Sequence, residues 1–280
     1  MDDDTRFDGA RELIIAGRNE EAAEELIAIA RTTDDPFTAI KCISSLKTLG
    51  LTDHVKEAAD RTVSLTRSKD PDTCTEIATA LRAMDLPSFS YTILKDLEPT
   101  DQTRRALAPC LMDLQEYESA LDVLKSIDEP TVGDRILLTE SLSGVGEHTR
   151  AIESAESIIA ESTDYRSRKC YVTALIYAGR NKDAVKYTRT VLKEKTADAN
   201  ALAAYVLFVE GNMRSAAGYA TRAIKLDQRH IGAMETLGMC LADKGEYDKA
   251  RIVAGAINEI SPGDRAAVNI ISYCHRSFRS

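Results

Sequence analysis

Residues 201–226, ALAAYVLFVEGNMRSAAGYATRAIKL, and residues 234–260, METLGMCLADKGEYDKARIVAGAINEI, are two versions of one phrase. Gly211 and Gly245 stand 34 residues apart, and each is followed five positions later by an alanine, Ala216 and Ala250. Apolar residues recur at three- and four-residue spacing on both sides of the glycine, which predicts two amphipathic helices. The glycine can take the left-handed conformation that ends a helix, and the alanine lets the second helix approach the first closely. Projected backward, the same phase pairs Gly179 with Ala184, Gly146 with Ala151, Gln115 with Ala120, Asp85 with Ser90, Gly50 with Val55 and Gly17 with Ala22. Successive turn slots are 30 to 35 residues apart, and the tetrapeptide AGRN, at 16–19 and again at 178–181, fills the slot twice. The fourth unit shows the helical period clearly, with Leu107, Leu111 and Leu114 before its turn and Ala120, Leu121, Leu124 and Ile127 after it.

Composition agrees with an all-α chain. Its 280 residues contain no Trp, 5 Phe, 14 Gly and 7 Pro, and helix-favouring residues dominate. Pro36, Pro71, Pro99, Pro130 and Pro262 fall between the units, behind acidic or serine residues able to cap the next helix or turn. Eight helix pairs fill residues 3–264, and DRAAVNIISYCHRSF (264–278) is left as an amphipathic helix where a stack of hairpins needs a cap. Pro109 lies inside a predicted helix, where proline costs about 3 kcal/mol. The plainer expectation is that this helix starts later than the phase suggests.

In the last full unit Leu237-Gly238, Leu241, Gly245, Tyr247, Ala250, Ala254 and Pro262 occupy the characteristic spacings of the tetratricopeptide repeat (TPR), so the chain resembles a TPR protein. The preceding unit keeps Gly211, Ala216, Ala220 and Ala223 with Gln228 in the usual proline position, and the family's tryptophan is absent. The resemblance implies a right-handed α-solenoid of about eight helix-turn-helix hairpins with a C-terminal capping helix. It implies a single solenoid domain over 1–280, with degenerate repeats at 3–130, clearer ones at 131–264 and the cap at 265–278.

The sequence carries no constellation for catalysis. It has no P-loop, no H-E-x-x-H and no G-x-S-x-G, and Gly144-Val145-Gly146 reads as a hairpin turn. His54, His148, His230 and His275 lack metal-ligand spacing, and neighbours such as Cys274 and His275 point about 100° apart on a helix. The six cysteines, Cys42, Cys74, Cys110, Cys170, Cys240 and Cys274, are scattered through apolar stretches and read as reduced core residues. Glu20-Glu21 and Glu24-Glu25 read as solvated helix surface. The expectation is a non-enzyme without cofactor or metal. The acidic N-terminus has no signal-peptide pattern and predicts a cytoplasmic protein, and the longest apolar runs are too short for membrane insertion. A net charge of −9 speaks against nucleic acid as a partner.

What remains is a surface. In TPR arrays the first helix of each pair lines a concave groove. The family's groove positions fall here on Lys47, Arg82, Arg105, Met112, Arg166 and Lys169, and then on Ile176, Tyr177, Tyr205, Phe208, Val209 and Met239. Glu140, Glu235, Asp113 and Asp243 project to the same set. The resemblance thus implies a protein or peptide partner, an acidic segment with hydrophobic anchors, bound by a scaffold or adaptor. The asparagine and lysine clamp of TPR co-chaperones is not expected, because its slots hold Arg11, Ser44, Thr79, Pro109, Glu140, Thr173, Tyr205 and Met239. Two rival readings are a regulatory or assembly subunit acting through convex or terminal surfaces, and an RNA-binding helical repeat, which the acidic charge disfavours.

Overall fold

The computed structural model describes residues 2–261 and 264–277, with the side chains of 275–277 left out; Pro262 and the His275 side chain therefore lie outside the described residues. Those residues form seventeen α-helices, one 3-10 turn and no strand. The chain is all-α, built as a TPR-like solenoid of helical hairpins, and it divides into two compact units, residues 1–116 and 117–280.

The first unit contains α1 (Asp3–Ile15), α2 (Asn19–Thr32), α3 (Pro36–Thr48), α4 (Thr52–Thr66), α5 (Pro71–Ala83), α6 (Pro87–Leu94) and α7 (Asp101–Asp113). The second contains α8 (Tyr117–Lys125), α9 (Val132–Gly144), α10 (His148–Glu161), α11 (Tyr165–Tyr177), α12 (Asn181–Val191), α13 (Ala197–Val209), α14 (Met213–Leu226), α15 (Ile231–Asp243), α16 (Tyr247–Ile260) and α17 (Arg265–Ser277). The capping helix is thus α17, where the repeat phase left it.

Two different devices join these helices. Within each repeat the turn residue takes positive φ: Gly17, Gly50, Asp85, Gln115, Gly146, Gly179, Gly211 and Gly245, from 60° to 84°. The next backbone N–H then donates to the carbonyl of a leucine five residues back, from Arg18 to Leu13 through to Glu246 to Leu241. All eight acceptors are leucines, at 13, 46, 81, 111, 142, 175, 207 and 241, and the bonds measure 2.8 to 3.0 Å. This is the Schellman closure, which satisfies carbonyls left open at a helix end.

Between repeats the joint is made by a side chain. Asp2, Asp35, Asp70, Thr100, Thr131, Asp164, Thr196 and His230 each accept a backbone N–H from the first turn of the next helix. Pro36 and Pro71 take the first helical position behind their aspartates, where a missing N–H costs nothing. Pro99 and Pro130 precede the threonine caps. Pro109 differs from expectation: Thr100 starts α7 on time, and the proline sits inside the helix, where the Arg105 carbonyl receives no N–H from it.

Within each unit the alanine slot faces the helix partner of its hairpin, as in α1 with α2, α3 with α4, α13 with α14 and α15 with α16. Ala22, Ser90, Ala120, Ala151, Ala184, Ala216 and Ala250 are fully buried, and Val55 nearly so. In the first unit the first helices α1, α3, α5 and α7 stack on one another, and so do the second helices α2, α4 and α6. One core runs through both rows, with Leu26, Ile43, Leu46, Ile77 and Leu81 inside it. In the second unit the first helices α9, α11, α13, α15 and α17 form a continuous row, but the described second helices do not pack row on row. That unit therefore curves, with α9 to α17 on the inside and α10, α12, α14 and α16 fanned outward. All six cysteines are buried and free; burial pushes the Cys42 and Cys170 thiols up to about 12 and that of Cys240 to about 11.

Candidate functional site

The inner row of the second unit brings distant residues together. Lys169 on α11 reaches across α13 to Glu235 on α15, with Nζ 3.2 Å from Oε2. The other Glu235 oxygen accepts from Asn269 Nδ2 of α17 at 2.7 Å. The Lys169 ammonium also lies 4.8 Å from the centre of the Tyr205 ring on α13, and the Tyr205 hydroxyl is 2.9 Å from Thr173 Oγ1 of α11. Four successive first helices are thus tied through one lysine and its carboxylate. Burial alone would lower the Lys169 pKa, but Tyr165, Glu235 and Tyr205 outweigh it and hold the ammonium charged.

Glu140 of α9 looks into the same concavity. Water reaches its side chain, yet protein crowds it on most sides, as at the floor of a groove. The lost solvation pushes its carboxyl above the usual range, against the pull of Lys169, Arg166 and Arg265. It makes no hydrogen bond or ion pair among the described residues. Arg166, one helix along on α11, is exposed and equally unpaired. At the far end of α11 Tyr177 is 61% exposed, and at the end of α13 Val209 is 42% exposed.

The remaining groove positions of this unit are partly taken up by the fold. Ile176 and Tyr205 pack against the core of α9 to α13, and Met239 packs against the core of α15 to α17. Phe208 meets Tyr273 of the capping helix edge to face, 5.8 Å between ring centres, and the Tyr273 hydroxyl lies 3.4 Å from Asp243 Oδ1. Helix α17 therefore lines the end of the inner surface as well as closing the stack. The projected positions did not include Asn269 or Tyr273, because that helix belongs to no repeat and carries no phase.

In the first unit the projected cations are engaged. Arg82 Nε lies 3.0 Å from Asp113 Oδ2, and Arg105 pairs with Asp101 at 3.7 Å. Lys47 donates to the Met84 carbonyl, and burial lowers its pKa. Met112 is half-buried beside them. Of the five cations, only Arg166 has no partner among the described residues. The described residues hold no group of three or more His, Cys, Asp or Glu placed to bind a metal ion, and no helix long and apolar enough to cross a membrane.

Comparison with known proteins locates the likeness in the fold. A family model described as anaphase-promoting complex, cyclosome, subunit 3 matches residues 178–257, less than a third of the chain. No curated protein matches the sequence. Among solved structures, a tetratricopeptide repeat protein from Parabacteroides merdae is similar over 85% of this chain and 98% of its own, with 14% identity and a TM-score of 0.51. YrrB, described as a TPR protein with an unusual peptide-binding site, is 17% identical over 64% of this chain and 95% of its own, with a TM-score of 0.35. MamA from Desulfovibrio magneticus is 16% identical over 57% of this chain and 94% of its own, with a TM-score of 0.33.

Proposed function

We propose that this chain, whose fold is that of the tetratricopeptide-repeat proteins, is a non-catalytic scaffold or adaptor that holds a segment of a partner protein against the inner row of its second unit. The observation that carries the reading is the pair of unpaired charges on that row. Crowding costs the Glu140 carboxyl solvation that a ligand can return, and the exposed Arg166 stands beside it without an ion pair among the described residues. Glu140 accepts a donor from the segment, and Arg166 takes a carboxylate. The exposed ring of Tyr177 and the Val209 side chain supply the apolar anchor. In the first unit Lys47, Arg82, Arg105 and Met112 offer further contacts only where their present partners are exchanged. The partner is therefore a segment of mixed polarity with an acidic residue and a hydrophobic anchor, and the protein acts in the cytoplasm. The match of residues 178–257 to a family named for a subunit of a complex supports a role within an assembly.

A random peptide library displayed on phage and selected on the wild-type protein tests this. The comparison protein carries Arg166→Glu and Tyr177→Ala, two exposed positions whose replacement leaves the part-buried Lys169–Glu235 pair intact. Selected peptides should bind the wild type at least about tenfold more tightly than this variant. Equal binding to both proteins, at equal helix content, sinks the inner-surface reading.

A further inference from the structure

The face of α12 turned away from the inner row bears a second feature. A cleft of about 510 Å³ is lined by Asn181, Lys182, Val185, Lys186, Arg189, Thr190, Lys193 and Glu210. Lys182, Lys186, Arg189 and Lys193 follow one another at three- and four-residue spacing, all exposed, in a chain of net charge −9. None has an ion-pair partner among the described residues. Some exposed cations on other helices are matched within their own turn, as in Arg18 with Glu21, Arg150 with Glu147, Lys249 with Glu246 and Arg251 with Asp248, and at the start of α12 Asp183 is taken by Arg180. Lys182, Lys186 and Arg189 on α12, with Lys193 on the 3-10 turn that follows it, instead repel one another along one stripe. The cleft runs along α12 and the 3-10 turn after it, with Glu210 beyond the end of α13 at its edge.

We propose that this outer cleft is a docking site for an acidic α-helical segment of a protein partner, separate from the inner-surface site. The row from Lys182 to Lys193 is about 16 Å long, three turns of helix, so carboxylates at the same spacing on a helix laid alongside meet every cation. Val185 and the aliphatic stems of the lysines give that helix an apolar floor for a small side chain. The lining holds no aromatic ring on which bases could stack. Charge and lining together favour a protein helix over nucleic acid or a lipid surface.

The probe is a fluorescent helical peptide of about 18 residues with Glu at three- and four-residue spacing among Ala and Leu, followed by anisotropy at about 0.15 M salt. The controls are the same peptide with Lys for Glu, a single-stranded RNA of equal length, and vesicles containing phosphatidylserine. The wild type should bind the Glu peptide in preference to all three. The protein with Lys182→Glu, Lys186→Glu, Arg189→Glu and Lys193→Glu should lose about tenfold or more in affinity, and Lys186→Gln with Arg189→Gln should lose part of it. The Arg166→Glu, Tyr177→Ala protein should bind as the wild type does, which separates this site from the inner surface. Undiminished binding by the glutamine variant, or tighter binding of the RNA or the vesicles, overturns the proposal. A peptide lost equally on the inner-surface variant overturns it too.

Discussion

At Gln115 the backbone takes φ 64°, a conformation that costs a residue with a side chain about 1–2 kcal/mol. Glycine fills the same slot in six of the eight turns. Replacing Gln115 by Gly should therefore stabilise the protein by about 0.5–1 kcal/mol after the extra chain entropy of glycine is subtracted. Gly146→Ala should cost about as much as Gln115→Gly gains or more, and thermal melting of the two variants checks both signs. Glycines inside helices divide by what surrounds them. A Cβ at Gly238 would fall 2.5 Å from Ile270 Cδ1, whereas one at Gly218 meets nothing within 4 Å. Alanine gains up to about 1 kcal/mol of helix propensity at either place, but overpacking at Gly238 costs about 1–3 kcal/mol and wins. Gly218→Ala should raise the melting temperature and Gly238→Ala should lower it. Gln115 and Gly146 were legible as turn positions from the repeat phase and Gly238 from the TPR spacing, whereas nothing in the phase marked Gly218. The ion pairs were legible only in part: Asp101 lies one turn before Arg105, while Glu235 is two repeats from Lys169, and only curvature brings them together.

Each side-chain cap governs one helix start. Backbone N–H donation from Thr5 and Thr73 holds Asp2 and Asp70 below the usual carboxylate range. At Asp35 and Asp164 partial burial pushes upward but is outweighed, by the Thr38 hydroxyl and N–H in one case and by Ser162 and Ser167 in the other. A carboxyl whose folded-state pKa is depressed contributes stability above its unfolded value of about 3.9 and loses it as pH falls through the folded value. The guanidinium midpoint should stay level from about pH 7 to 5 and fall below about pH 4. The triple variant Asp35→Asn, Asp70→Asn, Asp164→Asn keeps a capping oxygen without a titrating group, so its fall should be shallower. An equal fall in both proteins shows that the caps are not what acid attacks. Helix order and the cap position of α17 could be read from the sequence because period and punctuation agree. The start of α7 could not, because Thr100 and Pro109 give opposite signals and the cap prevails.

The two units carry different burdens. The first holds the turns at Asp85 and Gln115, the interior Pro109 and the eight-residue α6, while every turn slot from 146 to 245 is glycine. Its internal opening should be the easier one. The buried thiols report this without labels, since Cys42, Cys74 and Cys110 lie in the first unit and Cys170 and Cys240 in the second. Under mild denaturant, pulsed alkylation read by mass spectrometry should modify the first three before the other two, and simultaneous modification sinks the expectation. Fold class was legible because a repeat multiplies a weak signal eight times. The division at residue 116 was not, since the phase runs through it without a break. The contrast between main-chain closure inside each repeat and side-chain caps between repeats has a mechanical meaning. A pull along the chain should load the side-chain caps as bolts and the leucine-closed turns as welds, so the bolts should yield first and hairpins should come away one at a time.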